Sequence, residues 1–164
     1  MFNAQVGTVG MSQLQSQSTE DTREGAVMTK WPDHYPEQCP PSCAEAISGT
    51  IYRFTNRANP KLRDFISYYE MDPIRDWGRM ACNARGLSVY STYADCAAAV
   101  KAVPALRKKR LCHASLARTS GVMADTPSQN TQNHKTFWSY VGAEELASFF
   151  TLTEFIDENE VSNA

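Results

Sequence analysis

The chain lacks most of the features that announce a function. It has no apolar run of about 18 residues, so no membrane-spanning helix is expected. Its opening, MFNAQVGTVGMSQLQ, has neither a basic start nor an apolar core, so a secretory signal is not expected and a cytoplasmic location is. Heptads and internal repeats are missing, as are the glycine fingerprints of P-loop and dinucleotide-binding folds. No Gly-x-Ser-x-Gly elbow offers a nucleophile. These absences leave a small globular protein whose chemistry must be sought in dispersed residues.

The 164 residues are 42 % hydrophobic and 21 % charged, values that suit one globular domain. Five cysteines (Cys39, Cys43, Cys82, Cys96 and Cys112) form an odd, irregularly spaced set, which predicts buried thiols in a reducing compartment rather than disulfides. His34, Cys39 and Cys43 lie close together in HYPEQCPPSC, and Cys82 or Cys112 would supply a fourth metal ligand. Structural zinc usually draws on two tight pairs, and only one is present, so zinc is not expected. Cys82, in MACNARG, has a basic context of the kind that lowers a thiol pKa.

The net charge of −2 conceals a strong asymmetry. Residues 53–118 hold 13 of the 16 Lys and Arg against five acids, and the remainder of the chain is correspondingly acidic. A basic middle suits a phosphate-bearing small molecule, an acidic protein partner or a nucleic acid. The opposing interpretation is internal neutralisation by the acidic ends. The run RKKR at 107–110 is a candidate phosphate contact and equally a solvated face.

Residues 1–27 are polar and poor in large apolar side chains, so a disordered N-terminal segment is expected there, with translation from Met1 or Met28. A single domain over 28–156 and an acidic disordered tail over 157–164 complete the division. WPDHYPEQCPP reads as an irregular arm pinned by Trp31 and Tyr35, because proline lacks a donor and fixes φ. CAEAIS suggests a short helical turn. TIYRFT (50–55) reads as a strand with Ile51, Arg53 and Thr55 on one face and Tyr52 and Phe54 on the other. Asn59-Pro60 then opens a predicted helix with a stripe of Leu62, Phe65, Ile66 and Tyr69, ending near Glu70 or Met71. Residues 72–85 read as loop or broken helix anchored by Trp77. GLSVYST (86–92) is a second predicted strand, and Thr92 caps a helix over YADCAAAVKAV that Pro104 closes. Further strands are expected at 110–117, at GVMA from 121, at 135–141 and at 148–156, with a polar loop at 125–134 and a turn at 142–145. The whole is an α+β fold: a small mixed, mainly antiparallel sheet with two or three helices.

Several residues carry candidate chemistry. Arg53, mid-strand, is either paired with a carboxylate such as Glu70 or Glu154 or a fork for phosphate. Ser88, Tyr90 and Thr92 share a polar strand face before a helix N-terminus, which reads as a ligand floor or as capping. His134, at a loop-to-strand junction beside Phe137 and Trp138, is a candidate acid, base or clamp, or a packing residue. His113, inside a strand pattern, reads as structural.

These residues carry two resemblances. Tyr52-Arg53, the stretch Asp64–Glu70, Gly86–Thr92, and His134 with Phe137-Trp138 together resemble a group of small uncharacterised bacterial proteins over most of 31–156, a likeness that implies no function. The order of an arginine on a first strand, a helix, then Ser-Thr on a strand is similar to the NAD-binding half of ADP-ribosyltransferases of the Arg–Ser–Glu type. That resemblance implies NAD as cofactor, with Arg53 holding its phosphate and Ser91-Thr92 supporting the nicotinamide side, and Tyr52, Ser88 and Tyr90 complete the expected cofactor-binding set. It also implies a late catalytic glutamate in a Glu-x-Glu pattern. Glu158-Asn159-Glu160 has the spacing but lies in the tail, while Glu154 stands mid-strand and is taken with His134 as the catalytic candidates. The expected function is therefore a small bacterial protein that binds a phosphate-bearing ligand, such as an NAD-dependent ADP-ribosyltransferase-like enzyme or toxin. The alternatives are a non-enzymatic accessory or immunity protein of a toxin or defence system, and a nucleic-acid binder using the basic centre.

Overall fold

The computed structural model describes residues 31–154. The expected N-terminal segment, the acidic tail and the last residues of the strand expected at 148–156 lie outside them. Two antiparallel sheets and three α-helices make an α+β fold, as the sequence pattern predicts. The strands are β1 (Glu45–Ala46), β2 (Gly49–Thr55), β3 (Leu87–Val89), β4 (Arg110–Leu116), β5 (Gly121–Asp125), β6 (Lys135–Ser139) and β7 (Thr151–Thr153). The helices are α1 (Tyr68–Met71), α2 (Tyr93–Ala102) and α3 (Ala143–Phe149). One sheet has the order β1-β5-β6-β3 and the other β2-β4-β7. Among the described residues no helix is long and apolar enough to cross a membrane.

The alternation read in residues 50–55 sets the layering. Ile51 and Thr55 face inward, where Ile51 joins Val89, Cys112, Ala114 and Phe137 in the main core between the sheets. Tyr52 and Phe54 face the other way, against Cys96 and Ala99 of α2. A third cluster lies on the outer face of the four-stranded sheet, where Cys39, Tyr35 and Trp31 cover the fully buried Trp138. Thr92 caps α2 as predicted: its hydroxyl oxygen accepts the Asp95 N–H at 3.1 Å.

The sheets meet at a single bridge. Tyr52 and Tyr90 exchange backbone hydrogen bonds of 2.8 and 2.9 Å. In an antiparallel ladder alternate residues turn their polar backbone groups the same way, so Ser88 also points toward β2. The ladder does not continue there. Gly86 lets β3 lie close to β6, since a Cβ at this position would sit 2.3 Å from the Thr136 methyl and 3.0 Å from the Phe137 carbonyl oxygen. Among the described residues no further pairing joins β2 to β3 beyond the Tyr52–Tyr90 bridge, and the groove described below lies there.

Several local expectations are corrected. CAEAIS forms β1 rather than a helical turn, pairing Glu45 and Ala46 with Met123 and Val122. The single helix expected over 60–71 is two pieces, a 3-10 turn at Leu62–Asp64 and the one-turn α1. The break has a local cause. The Asp64 carboxylate accepts the backbone N–H groups of Asn56 and Lys61, both at 3.0 Å, and Ser67 with Glu70 then forms a capping box that starts α1 afresh. Residues 143–149 are helix α3, capped at Gly142, where a turn and the start of a strand were expected; only 151–153 pair with β4.

The expectation of unpaired thiols is overturned at two positions, because Cys39 and Cys82 form a disulfide. Cys43 is exposed, and Cys96 and Cys112 are buried thiols. Among the described residues no group of His, Cys, Asp and Glu is arranged to hold a metal. The disulfide ties the proline-rich arm to the 78–85 segment, next to a second clamp. Arg85 lies over the Tyr69 ring at 3.8 Å and donates to the carbonyls of His34 and Ala81, both at 2.6 Å.

The cross-link closes a 43-residue separation, so reduction is expected to lower stability by about 2–4 kcal/mol. Denaturant unfolding with and without reductant measures this. Thiol titration of the unreduced protein should find one reactive group when native, Cys43, and three when denatured; five would contradict the pairing.

Candidate functional site

The site begins with Arg53. Its position on β2 turns the side chain toward the inter-sheet layer, at the point where β2 and β3 separate. There the guanidinium donates through Nε to the Asp64 carbonyl and through a terminal nitrogen to the Ser88 carbonyl, both at 2.8 Å. It thus takes up the Ser88 acceptor that a continuing β2–β3 ladder would have used. The Phe65 ring lies 5.8 Å away. Burial, against weaker support from Tyr68 and Asp64, lowers the guanidinium pKa to about 10, so it stays cationic at neutral pH. The expected carboxylate partners do not reach it. Glu70 is engaged in the Ser67 capping box, and Glu154 is exposed beyond β7.

Below Arg53 lies a cavity of about 320 Å³. Arg63 and Lys109 also line it, and the one carboxylate there is Asp64. Burial opposes the Asp64 charge, but the N–H groups of Lys61 and Asn56 and the nearby Arg57 outweigh it and hold the carboxyl below its usual range. Because that carboxylate is already committed to these donors and to Arg57 at 3.5 Å, the lobe presents an excess of positive charge. Lys109 reaches the lobe while bonding to the Asn56 side chain. Elsewhere in the RKKR run Arg107 donates to the Val100 and Lys101 carbonyls at the end of α2, a capping role.

His134 stands at the far wall. Its Nδ1 is 2.9 Å from the Thr126 carbonyl oxygen, which can only accept, so Nδ1 carries the proton and Nε2 keeps its lone pair. The Thr126 hydroxyl lies 2.9 Å from the same nitrogen and 2.8 Å from the Thr136 hydroxyl. Nε2 has no partner among the described residues. Tyr90 meets the imidazole edge-on, with ring centroids 5.9 Å apart. Burial first, and the Arg53 charge further, push the imidazole pKa below 6.5, with the Thr126 bond opposing. His134 is therefore a neutral base at pH 7.

A second cavity of about 460 Å³ adjoins the first and shares the wall made by Tyr68, Ser88 and His134. The groove thus collects Arg53, Ser88, Tyr90 and His134 from the residues singled out in the sequence. It does not collect the others. Tyr52 bridges to Tyr90 and packs under α2; Ser91 and Thr92 lie past the end of β3, where Thr92 caps α2; Glu154 lines neither lobe. The sequence reading missed Arg63, Tyr68 and the part that Trp77 plays in the second lobe, and it named Lys109 only within the RKKR run. For Arg63 the available signal was the basic surplus of residues 53–118, which does not say which members meet.

No protein-family model, curated protein or solved structure matches the chain.

Since the folded imidazole pKa is lowered from 6.5, the folded state gains relative stability from His134 above pH 6.5 and loses it as the pH falls toward the folded value. The His134 Cε1–H resonance should titrate below pH 6.5, and its midpoint should rise in Arg53→Gln. A midpoint at or above 6.5 would contradict this environment.

Proposed function

We propose that the groove binds a phosphate-bearing small molecule, with NAD the first candidate. The observation that carries this reading is Arg53. Its charge is kept in a partly buried position by two backbone carbonyls, with no ion-paired carboxylate among the described residues, and it opens on a lobe that also holds Arg63 and Lys109. A desolvated cation of this kind is stabilised by an arriving anion, and a guanidinium with N–H groups to spare suits phosphate oxygens.

The enzymatic form of the proposal is cleavage of NAD at its nicotinamide bond. Water supplies the hydroxyl, ADP-ribose and nicotinamide leave, and one proton is released. His134 Nε2 is the groove's neutral base for that proton. Glu154, exposed and outside the groove, has no part in this version.

Calorimetric titration with pyrophosphate and with NAD tests the reading. Lys109→Ala and Arg63→Ala are the informative variants, because both side chains lie at the exposed rim. Arg53→Ala would also orphan the carbonyls of Asp64 and Ser88. Each rim substitution should weaken binding by roughly three- to ten-fold, on the order of 1 kcal/mol. Nicotinamide release by the wild type, lost in His134→Gln, would support the catalytic form. No binding of either compound would overturn the proposal and favour recognition of a protein partner.

A further inference from the structure

The second lobe differs in character from the cationic one. Trp77, held by an indole N–H bond to the Asp72 carbonyl at 3.2 Å, forms one side. Arg75 lies over its ring at 4.4 Å, and the Tyr68 ring is 6.2 Å away at an interplanar angle of 36°. Tyr68 is 55 % exposed and Met80 51 %, so this aromatic wall stands open to solvent. The fold leaves Tyr68 exposed and buries Trp77 only in part, so a planar ligand would cover aromatic surface that the fold itself does not. The remaining walls are made of Ala84, Ser88, the Thr126–Ser128 turn, His134 and Thr136, with Asp76, whose carboxylate accepts the Gly78 N–H, also lining the lobe. Asn83 places an amide at the edge, while the Ser128 hydroxyl there is engaged with Thr131. A volume of about 460 Å³ falls within the range of small-molecule sites.

We propose that this aromatic lobe is a base-stacking subsite, and hence that the ligand of the groove is a nucleotide whose base lies against Trp77 while its phosphate meets Arg53, Arg63 and Lys109. The inference rests on the anion-binding reading and deepens it. Two observations fix the class of occupant. The adjoining cations require an anion, and the shared wall of Tyr68, Ser88 and His134 places the stacking surface next to them. A lone phosphate would leave the aromatic lobe empty, and an apolar anion would make no use of the Asn83 amide at its edge. A nucleotide satisfies both lobes, either free or as the end of a strand.

The test compares AMP with ribose 5-phosphate, which carries the same phosphate without a base, by calorimetry on the full oxidised chain. AMP should bind at least about five-fold more tightly. Trp77→Leu should abolish that margin, Trp77→Phe should keep part of it, and AMP should move the Trp77 indole resonance upfield in the wild type, a readout independent of any variant's folding. A 5′-phosphorylated adenylate trinucleotide distinguishes the sources: tighter binding than AMP assigns the site to a strand end, weaker binding to the free nucleotide. Equal affinity for AMP and ribose 5-phosphate, or a margin that survives Trp77→Leu, would overturn the stacking subsite while leaving the anion site intact. If neither phosphate compound binds, both proposals fall.

Discussion

The interaction on which the rest of this structure depends is the pair of hydrogen bonds from Arg53 to the carbonyls of Asp64 and Ser88. One bond crosses from the three-stranded sheet to the four-stranded sheet; the other holds the 62–64 turn against β2. A continuous β2–β3 ladder would have closed this space with backbone. The single Tyr52–Tyr90 bridge stops the ladder, and a side chain completes the join. The fold thereby keeps an opening between its sheets at the cost of holding a cation in partly desolvated surroundings, a cost that hydrogen bonds to carbonyls offset only in part.

That cost shapes the neighbourhood. Asp64 supplies a negative charge, but its oxygens answer backbone N–H groups and Arg57, so it steadies the turn rather than neutralising Arg53. The Arg53 charge reaches His134 across the groove and favours the neutral imidazole. On the opposite side, the Cys39–Cys82 disulfide and the Arg85 clamp fix the 81–85 segment that carries Ala84, while the indole bond to the Asp72 carbonyl holds Trp77. Cation, base and aromatic surface are thus held by three separate elements that converge on one gap.

Much of the fold was legible wherever neighbours in sequence decide the structure. The period-two pattern of 50–55 placed Arg53 on the inward face, and Thr92 followed by Asp95 marked the start of α2. Legibility ended where side chains compete with the backbone or distant segments meet. The stripe of Leu62, Phe65, Ile66 and Tyr69 has helical spacing, yet Phe65 is in the core and Leu62 is 43 % exposed, because Asp64 caps the earlier loop and ends the helix after one turn. The disulfide joins cysteines 43 residues apart, which the irregular spacing could not single out. The site was half visible: Arg53, Ser88, Tyr90 and His134 were named from local pattern. Arg63 and the stacking face of Trp77 were not, and Lys109 was named only within the RKKR run, because only the tertiary fold brings these residues together.

The most direct test of the account is the Nε–H resonance of Arg53 in ¹⁵N-labelled protein, followed during titration with pyrophosphate. The account predicts a resonance protected from solvent exchange by the Asp64 carbonyl in the free protein, which then shifts saturably as the anion joins the guanidinium. An Arg53 signal that exchanges as fast as that of an exposed arginine, and that pyrophosphate leaves unmoved, would contradict both the join between the sheets and the anion site built upon it.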